Sequence, residues 1–232
     1  MPFIDPTYIL LVMLPGFLLS GIASWMTRSA FNKYSKVRSA RGLSGAQAAQ
    51  LLLNRAGISD VKIVPTSGYL SDHYNPLNKT LALSEPVYNS TSISAIGVAC
   101  HEAGHAIQHA QRYAPLQLRS VLVPTAKIGS SIGMWGMMIG LFLGMQGLVL
   151  LGAVLFGGVL LFQVVTLPVE FDASARAKKL AVAQGIVTER ERVGMDKVLN
   201  AAAMTYVAAA ISTLLTLLYF LMRAGLLGGR ND

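Results

Sequence analysis

Ala99-Cys100-His101-Glu102-Ala103-Gly104-His105-Ala106 decides the reading of this chain. On a helix, a four-residue spacing puts His101 and His105 on one face, where two imidazole nitrogens can hold one Zn²⁺ with Glu102 beside it. Zinc of the catalytic kind keeps one coordination position for water. A neighbouring carboxylate takes that water's proton as it attacks a polarised carbonyl, so the pattern predicts a hydrolase, with Glu102 as general base. Two features separate it from a chance helix. Three of the chain's four histidines, His101, His105 and His109, fall in this one segment. The flanks also read as helix: Ser90, Thr91 and Ser92 are N-cap candidates, Ile93, Ile96, Val98 and Ile107 supply apolar positions, and Pro115 reads as the stop.

The surroundings of this helix are not those of an ordinary soluble fold. Of 232 residues 53% are hydrophobic and only 13% charged, and the mean hydropathy is +0.52, which predicts an integral membrane protein. The single cysteine, Cys100, excludes an internal disulfide and reads as a small buried hydrophobe. A net charge of +8 raises nucleic acid as a partner, but the cations form no compact stripe interleaved with aromatics, and nucleic acid is set aside. Topology accounts for them better: 17 of the 19 Lys and Arg fall in residues 28–127 and 168–200, which the positive-inside rule assigns to the cytoplasm.

Four apolar runs organise the rest. Residues 7–27 form a first transmembrane helix, an uncleaved anchor whose cations follow the apolar run, with Pro15-Gly16 tolerated inside it. Residues 121–167 make a transmembrane hairpin, about forty of them without a charge, turning at Gly144-Met145-Gln146-Gly147. Its glycines, among them Gly129, Gly133 and Gly152, allow close helix contact. The Gly129 and Gly133 spacing suits packing within the chain and a homo-oligomer equally. Residues 201–223 are the fourth span and place the chain beyond Arg223 outside.

The polar segments lie between. Residues 28–120 read as a small α+β part: a basic juxtamembrane stretch from Arg28 to Arg41, and a helix capped by Ser44 and stopped by Gly57 with Ala48, Leu51, Leu52 and Arg55 on one face. Short strands follow at 61–64 and 80–83 around a polar turn at Asp72-His73-Tyr74-Asn75-Pro76. The 80–83 strand is a candidate edge for pairing with an extended substrate. His73, the only histidine outside the motif helix, is a candidate oxyanion donor with Tyr74 and Tyr113 as rivals. Residues 168–200 carry two further helices divided by Gly185.

Four stretches, in order, resemble the YugP-type neutral zinc metallopeptidases of bacterial membranes: Leu70-Ser71-Asp72-His73-Tyr74-Asn75-Pro76, Leu83-Ser84-Glu85-Pro86-Val87-Tyr88, the motif helix, and Leu167-Pro168-Val169-Glu170-Phe171-Asp172-Ala173. The resemblance implies a gluzincin, distantly similar to the HtpX proteases, lying as a multi-pass protein in the bacterial inner membrane with its active site on the cytoplasmic side. It carries zinc binding onto His101 and His105 and the general base onto Glu102. HtpX-like enzymes place the ligand Glu four residues before an Asp, whereas Glu170 and Asp172 here are two apart.

Two histidines need a third protein ligand, and His73, Glu170, Asp172, Asp72 and Glu85 are the nonlocal acids and imidazole available. Glu170 is the expected ligand, in the first turn of a helix started by Pro168, with Asp172 as acceptor for a ligating histidine's free N–H. His109 is not expected to ligate, because three ligands along one straight helix spread too far. The sequence thus predicts an α-helical integral membrane protein of about four spans bearing a small zincin-like metallopeptidase part, with Zn²⁺ as cofactor and polypeptides and the lipid bilayer as partners. A catalytically idle zincin-fold scaffold is the alternative, and Glu102 weighs against it, since an idle relative has no need of the base.

Overall fold

The computed structural model describes residues 5–227. The chain runs α1 (Pro6–Tyr8), a π-helical segment (Ile9–Met13), α2 (Leu14–Tyr34), α3 (Gly45–Arg55), β1 (Lys62–Thr66), β2 (His73–Asn75), β3 (Thr80–Ser84), α4 (Glu85–Tyr88) and α5 (Ile93–Ala110). After these come α6 (Ala114–Ile128), a second π-helical segment (Gly129–Gly133), α7 (Met134–Phe142), α8 (Gln146–Ala183) and α9 (Glu189–Arg223). Two compact units emerge: one holds the chain up to Ala23, Leu118–Leu167 and the chain from Thr205, and the other holds Ser24–Gln117 and Pro168–Met204.

The second unit carries the motif helix. Ser44 caps α3 through a full capping box with Gln47, and Gly57 leaves the helix at a φ of +74°, as the sequence predicts. The buried face of α3 is Ala48, Ala49, Leu52 and Leu53, whereas Leu51 is only partly covered and Arg55 is exposed. These residues join Leu81, Leu83, Ile93, Ile96, Ala103 and Ile107 in one core with Ala177, Ala181, Met195 and Leu199. Burial on this scale is what holds helices that propensity alone leaves marginal.

The sheet departs from expectation. β3 is its centre, in the order β1-β3-β2, parallel to β1 and antiparallel to β2. With partners on both sides, β3 has no free edge for a substrate, so the 80–83 assignment as an edge strand is overturned. Its residues Leu81 to Ser84 are buried, as a central strand's are. The supposed polar turn at Asp72–Pro76 contains strand β2, which pairs His73 with Ala82 and Asn75 with Thr80. Asp72 fixes this strand by accepting from both the Ser84 N–H (2.7 Å) and the Ser84 hydroxyl (3.0 Å). Pro65 sits inside β1, where an edge strand can spare its donor.

Helix boundaries differ in two more places. Pro115 does not stop the motif helix, which ends at Ala110 after the Ser92 cap; it lies in the first turn of α6, where a missing N–H costs nothing. Pro168 starts no helix and lies within α8. Proline is tolerated inside the apolar helices of membrane proteins, and α8 runs on through it to Ala183.

In the first unit, Gly144 (φ +69°) turns the chain between α7 and α8 at the expected position. A Cβ on Gly152 would stand 2.5 Å from the Met137 nitrogen and 2.7 Å from the Gly133 carbonyl, so the two arms of the hairpin touch backbone to backbone. Tyr219 donates to Asp5 (2.8 Å), and Arg223 lies 3.4 Å from the same carboxylate oxygen, joining the first and last helices. Among the described residues, three helices are long and apolar enough to cross a membrane: Pro6–Tyr34, Gln146–Ala183 and Glu189–Arg223. The expected second span is helical from Ala114 to Phe142, but the π-helical segment at Gly129–Gly133 divides it. Large apolar side chains such as Phe17 (77% exposed) and Val121 (72%) stand uncovered along these helices. The expectation that the chain's end lies outside falls partly on residues 228–232, outside the described residues.

Substituting Gly152 by leucine should therefore destabilise the hairpin by roughly 1–3 kcal/mol, the usual cost of overpacking. Thermal unfolding in detergent reads this as a lowered midpoint, and an unchanged midpoint would show that the arms have room to separate.

Candidate metal centre

The centre forms where α5 meets α8. Their contact is close because residue 104 is glycine: a Cβ there would stand 2.7 Å from the Ala173 carbonyl. With the backbones this near, Glu170 of α8 reaches the face of α5 that carries His101 and His105. The two rings lie edge to face, with centroids 4.7 Å apart. Glu170 Oε2 is 3.1 Å from His101 Nε2 and 3.5 Å from His105 Nε2. These three residues form a group whose ligand atoms all lie within 4.8 Å of one another. Two imidazole nitrogens and a carboxylate oxygen are the donor set that suits zinc, so the residues present fit that ion.

The far side of each imidazole is also held. His101 Nδ1 lies 3.0 Å from the Ser174 hydroxyl, one turn beyond Glu170 on α8. His105 Nδ1 lies 3.0 Å from Gln108 Oε1. The Gln108 amide nitrogen donates to the Val169 carbonyl (2.8 Å) and to Asp172 Oδ2 (2.7 Å). Two acceptors on that side require nitrogen there, so the amide oxygen must face His105, which donates its Nδ1 hydrogen. His105 Nε2 is then the atom left facing Glu170. Arg176 pairs with Asp172 and donates onward to Gln111.

Electrostatics bind the group together. Burial by itself would raise the Glu170 pKa, but hydrogen bonds to His101 and His105 override it and hold the carboxyl well below the usual range. Burial by itself would lower the His105 pKa, and the Glu170 hydrogen bond together with the charge of Glu102 raises it instead. Glu102 is almost covered, at 9% exposure, and its carboxylate makes no hydrogen bond among the described residues. Cys100 is fully buried and its thiol is pushed up to about 12 by that burial, which removes it as a nucleophile.

The remaining candidates lie elsewhere. His73 is exposed on β2 with Nδ1 2.9 Å from the Ser71 carbonyl, and it is not one of the group that His101, His105 and Glu170 form. His109 stands off the group as expected, its Nδ1 2.8 Å from the Tyr74 hydroxyl. Burial, with Asp60 nearby, pushes that hydroxyl up to about 12. Tyr113 lies under the Arg176 guanidinium, 5.5 Å from ring centroid to carbon. Asp72 is committed to Ser84, and Glu85 is exposed at the start of α4.

Sequence reasoning passed over Gly104, Gln108 and Ser174. Among the described residues Asp172 accepts no imidazole hydrogen directly and reaches His105 through Gln108. The available signals were spacing alone: Gln108 is three residues after His105, and Ser174 four after Glu170. Reading α8 as a continuous helix would have exposed the second.

Replacing Gln108 by leucine removes the group that fixes the His105 tautomer while keeping its volume. Zinc affinity should fall about 10- to 100-fold, the usual effect of losing such an orienting partner, with the helical content retained. Competition with a chromogenic chelator measures it, and wild-type affinity would dismiss the orienting role.

The comparisons with known proteins agree in kind with this geometry. A family described as "Putative neutral zinc metallopeptidase" matches residues 8–225. A Bacillus subtilis protein named "Putative membrane protease YugP" is 45% identical over 214 residues, covering 92% of this chain and 94% of the relative. No solved structure matches the chain.

Proposed function

Because this chain belongs to the neutral zinc metallopeptidase family, we propose that it is a membrane-embedded zinc endopeptidase that cleaves polypeptides at the cytoplasmic face of the membrane. The observation that supports it best is the convergence of His101 Nε2, His105 Nε2 and Glu170 Oε2 beside a carboxylate, Glu102, that nothing else engages. His101, His105 and Glu170 hold the metal, which when bound supplies a Lewis acid to polarise the scissile carbonyl and ease deprotonation of water. Glu102 accepts a proton from the attacking water and returns it to the departing amine nitrogen, a role that needs an unencumbered carboxylate. Ser174 and Gln108, the latter backed by Asp172 and Arg176, hold the imidazoles in register.

The exposed edge of the sheet offers the substrate a track. β2 is paired on one side only and lies against α5 through the Tyr74–His109 contact, so an extended backbone can add to it by main-chain hydrogen bonds. His73 lies on that strand, and hydrogen bonding to a bound substrate's carbonyl oxygen is the role we propose for it. The uncovered apolar helices support the bilayer as a partner, with four spans if the stretch from Ala114 to Phe142 crosses as one, and the cation distribution supports the cytoplasmic orientation.

Glu102→Gln should lower peptide hydrolysis by about 10²- to 10⁴-fold while zinc stays bound, because a general base contributes about that much and is no ligand. Glu170→Ala should lose both zinc and activity, and Asp172→Ala, one step removed, should weaken them less. Metal analysis with hydrolysis of an unfolded polypeptide by the detergent-purified protein decides. A fully active Glu102→Gln protein would sink the mechanism, and a zinc-replete Glu170→Ala protein would sink the ligand assignment.

Orientation has its own test. The native Cys100 is buried, so thiol labelling reports on introduced cysteines. Ala40→Cys and Ala183→Cys should react only with reagent that reaches the cytoplasm, and Met145→Cys with reagent added outside. The reverse pattern would invert the topology.

A further inference from the structure

Two transitions in the sequence meet at one point in the structure. On α2 an uncharged run from Tyr8 ends at Thr27, and Arg28, Lys33 and Lys36 follow. On α9 Lys197 is the last charged residue before an uncharged run from Val198 to Met222. The Thr27 hydroxyl donates to the Ala201 carbonyl at 3.0 Å, so the two apolar-to-cationic boundaries lie side by side. If both helices span the bilayer, as the reading above has it, this is the level at which hydrocarbon gives way to headgroups.

A groove of about 260 Å³ opens at that level, lined by Trp25, Met26, Ser29 and Lys33 of α2 and Lys197 and Ala201 of α9. Its chemistry is graded along α2. Trp25 (69% exposed) and Met26 (40%) offer an apolar end, Ser29 stands one turn on with a hydroxyl, and Lys33 closes the other end opposite Lys197. Neither lysine forms an ion pair among the described residues. The Lys33 ammonium lies 5.5 Å from the Tyr34 ring centroid, and the nearby acid Asp196 faces Lys178 and Arg192 instead. The groove therefore presents two uncompensated positive charges beside exposed aromatic and thioether surface.

We infer that this groove is a binding site for an anionic phospholipid, its phosphate held by Lys33, Lys197 and Ser29 and the start of its acyl chains lying on Trp25 and Met26. Each part of the lining answers one part of that ligand. A free inorganic anion leaves the apolar end unused, and a zwitterionic lipid brings its own cation against the two lysines. Tryptophan at the boundary between headgroup and hydrocarbon is the residue that best suits both sides of it.

The test is native mass spectrometry of the full-length protein in detergent, titrated with dioleoyl phosphatidylglycerol, dioleoyl phosphatidylcholine or inorganic phosphate. One phosphatidylglycerol should bind more tightly than phosphatidylcholine. Lys33→Gln with Lys197→Gln should weaken phosphatidylglycerol about thirty-fold, roughly five-fold per lysine at a membrane surface, and leave phosphatidylcholine unchanged. Trp25→Ser should weaken both lipids while both charges remain. Lys36→Gln with Arg190→Gln, which removes two cations outside the groove, should change neither. Equal affinity for the two lipids, equal loss in the Lys36 and Arg190 control, or displacement of the lipid by inorganic phosphate at matched concentration would overturn the assignment. None of these readouts uses zinc or hydrolysis. Failure of the membrane reading shows separately, as release of the protein from membranes by carbonate without detergent.

Discussion

A carboxylate buried to 2% exposure, Glu170, sets the terms for this fold's polar centre. A lone ionised group in such a place is costly enough that it would otherwise bind a proton and become neutral. It stays ionised because His101 and His105 meet it from the neighbouring helix, and that meeting in turn demands a helix pair closer than ordinary side chains allow. Gly104 supplies the approach, since any Cβ there would press on the Ala173 carbonyl. The glycine within the motif is thus as much a part of the centre as the histidines, although it offers no ligand atom.

From Glu170 the constraint spreads outward through hydrogen bonds that each have one sensible direction. Gln108 is fully buried and has both amide hydrogens engaged on α8, which leaves its oxygen for His105. Leaving any one of these atoms unpaired in the interior would cost about 1–3 kcal/mol, so the set is held as a whole. Arg176 at the rim balances Asp172, and solvent reaches that pair, so its contribution is to orientation more than to stability. The centre is rigid where the imidazoles are held and unengaged only at Glu102.

How much of this could be read from the sequence followed the range of the interactions. His101, Glu102 and His105 were legible because helical periodicity is local, and Ser92 and Ser44 because capping is too. Glu170 was legible as a residue but for a faulty local reason. Pro168 suggested a helix start, whereas α8 runs through it from Gln146 to Ala183, and the residues that matter lie one turn on, at Ser174. Strand β2 was missed because three polar residues carry no alternation. It exists through its pairing with β3 and the grip of Asp72 on Ser84, both long-range. The placing of β3 at the sheet's centre was beyond reach for the same reason, since strand order is a property of pairing and not of the strand.

The faces of α5 show why a short motif could imply so much. Successive residues on a helix are 100° apart, so one eighteen-residue helix presents separate stripes to separate partners. His101, His105 and Gln108 form the stripe turned to α8, with Gly104 flanking it. Ile93, Ile96, Ala103 and Ile107 belong to the core, and His109 turns to Tyr74 of the sheet edge. Glu102 lies about 100° round from His101, outside the α8 stripe and about 20° past the direction of His109. That angle places it beside the imidazole nitrogens without letting it reach the position that Glu170 fills. A ligand and a base can both be carboxylates in one small centre only if they arrive from different elements, and here the helix that supplies both imidazoles leaves the third donor to α8.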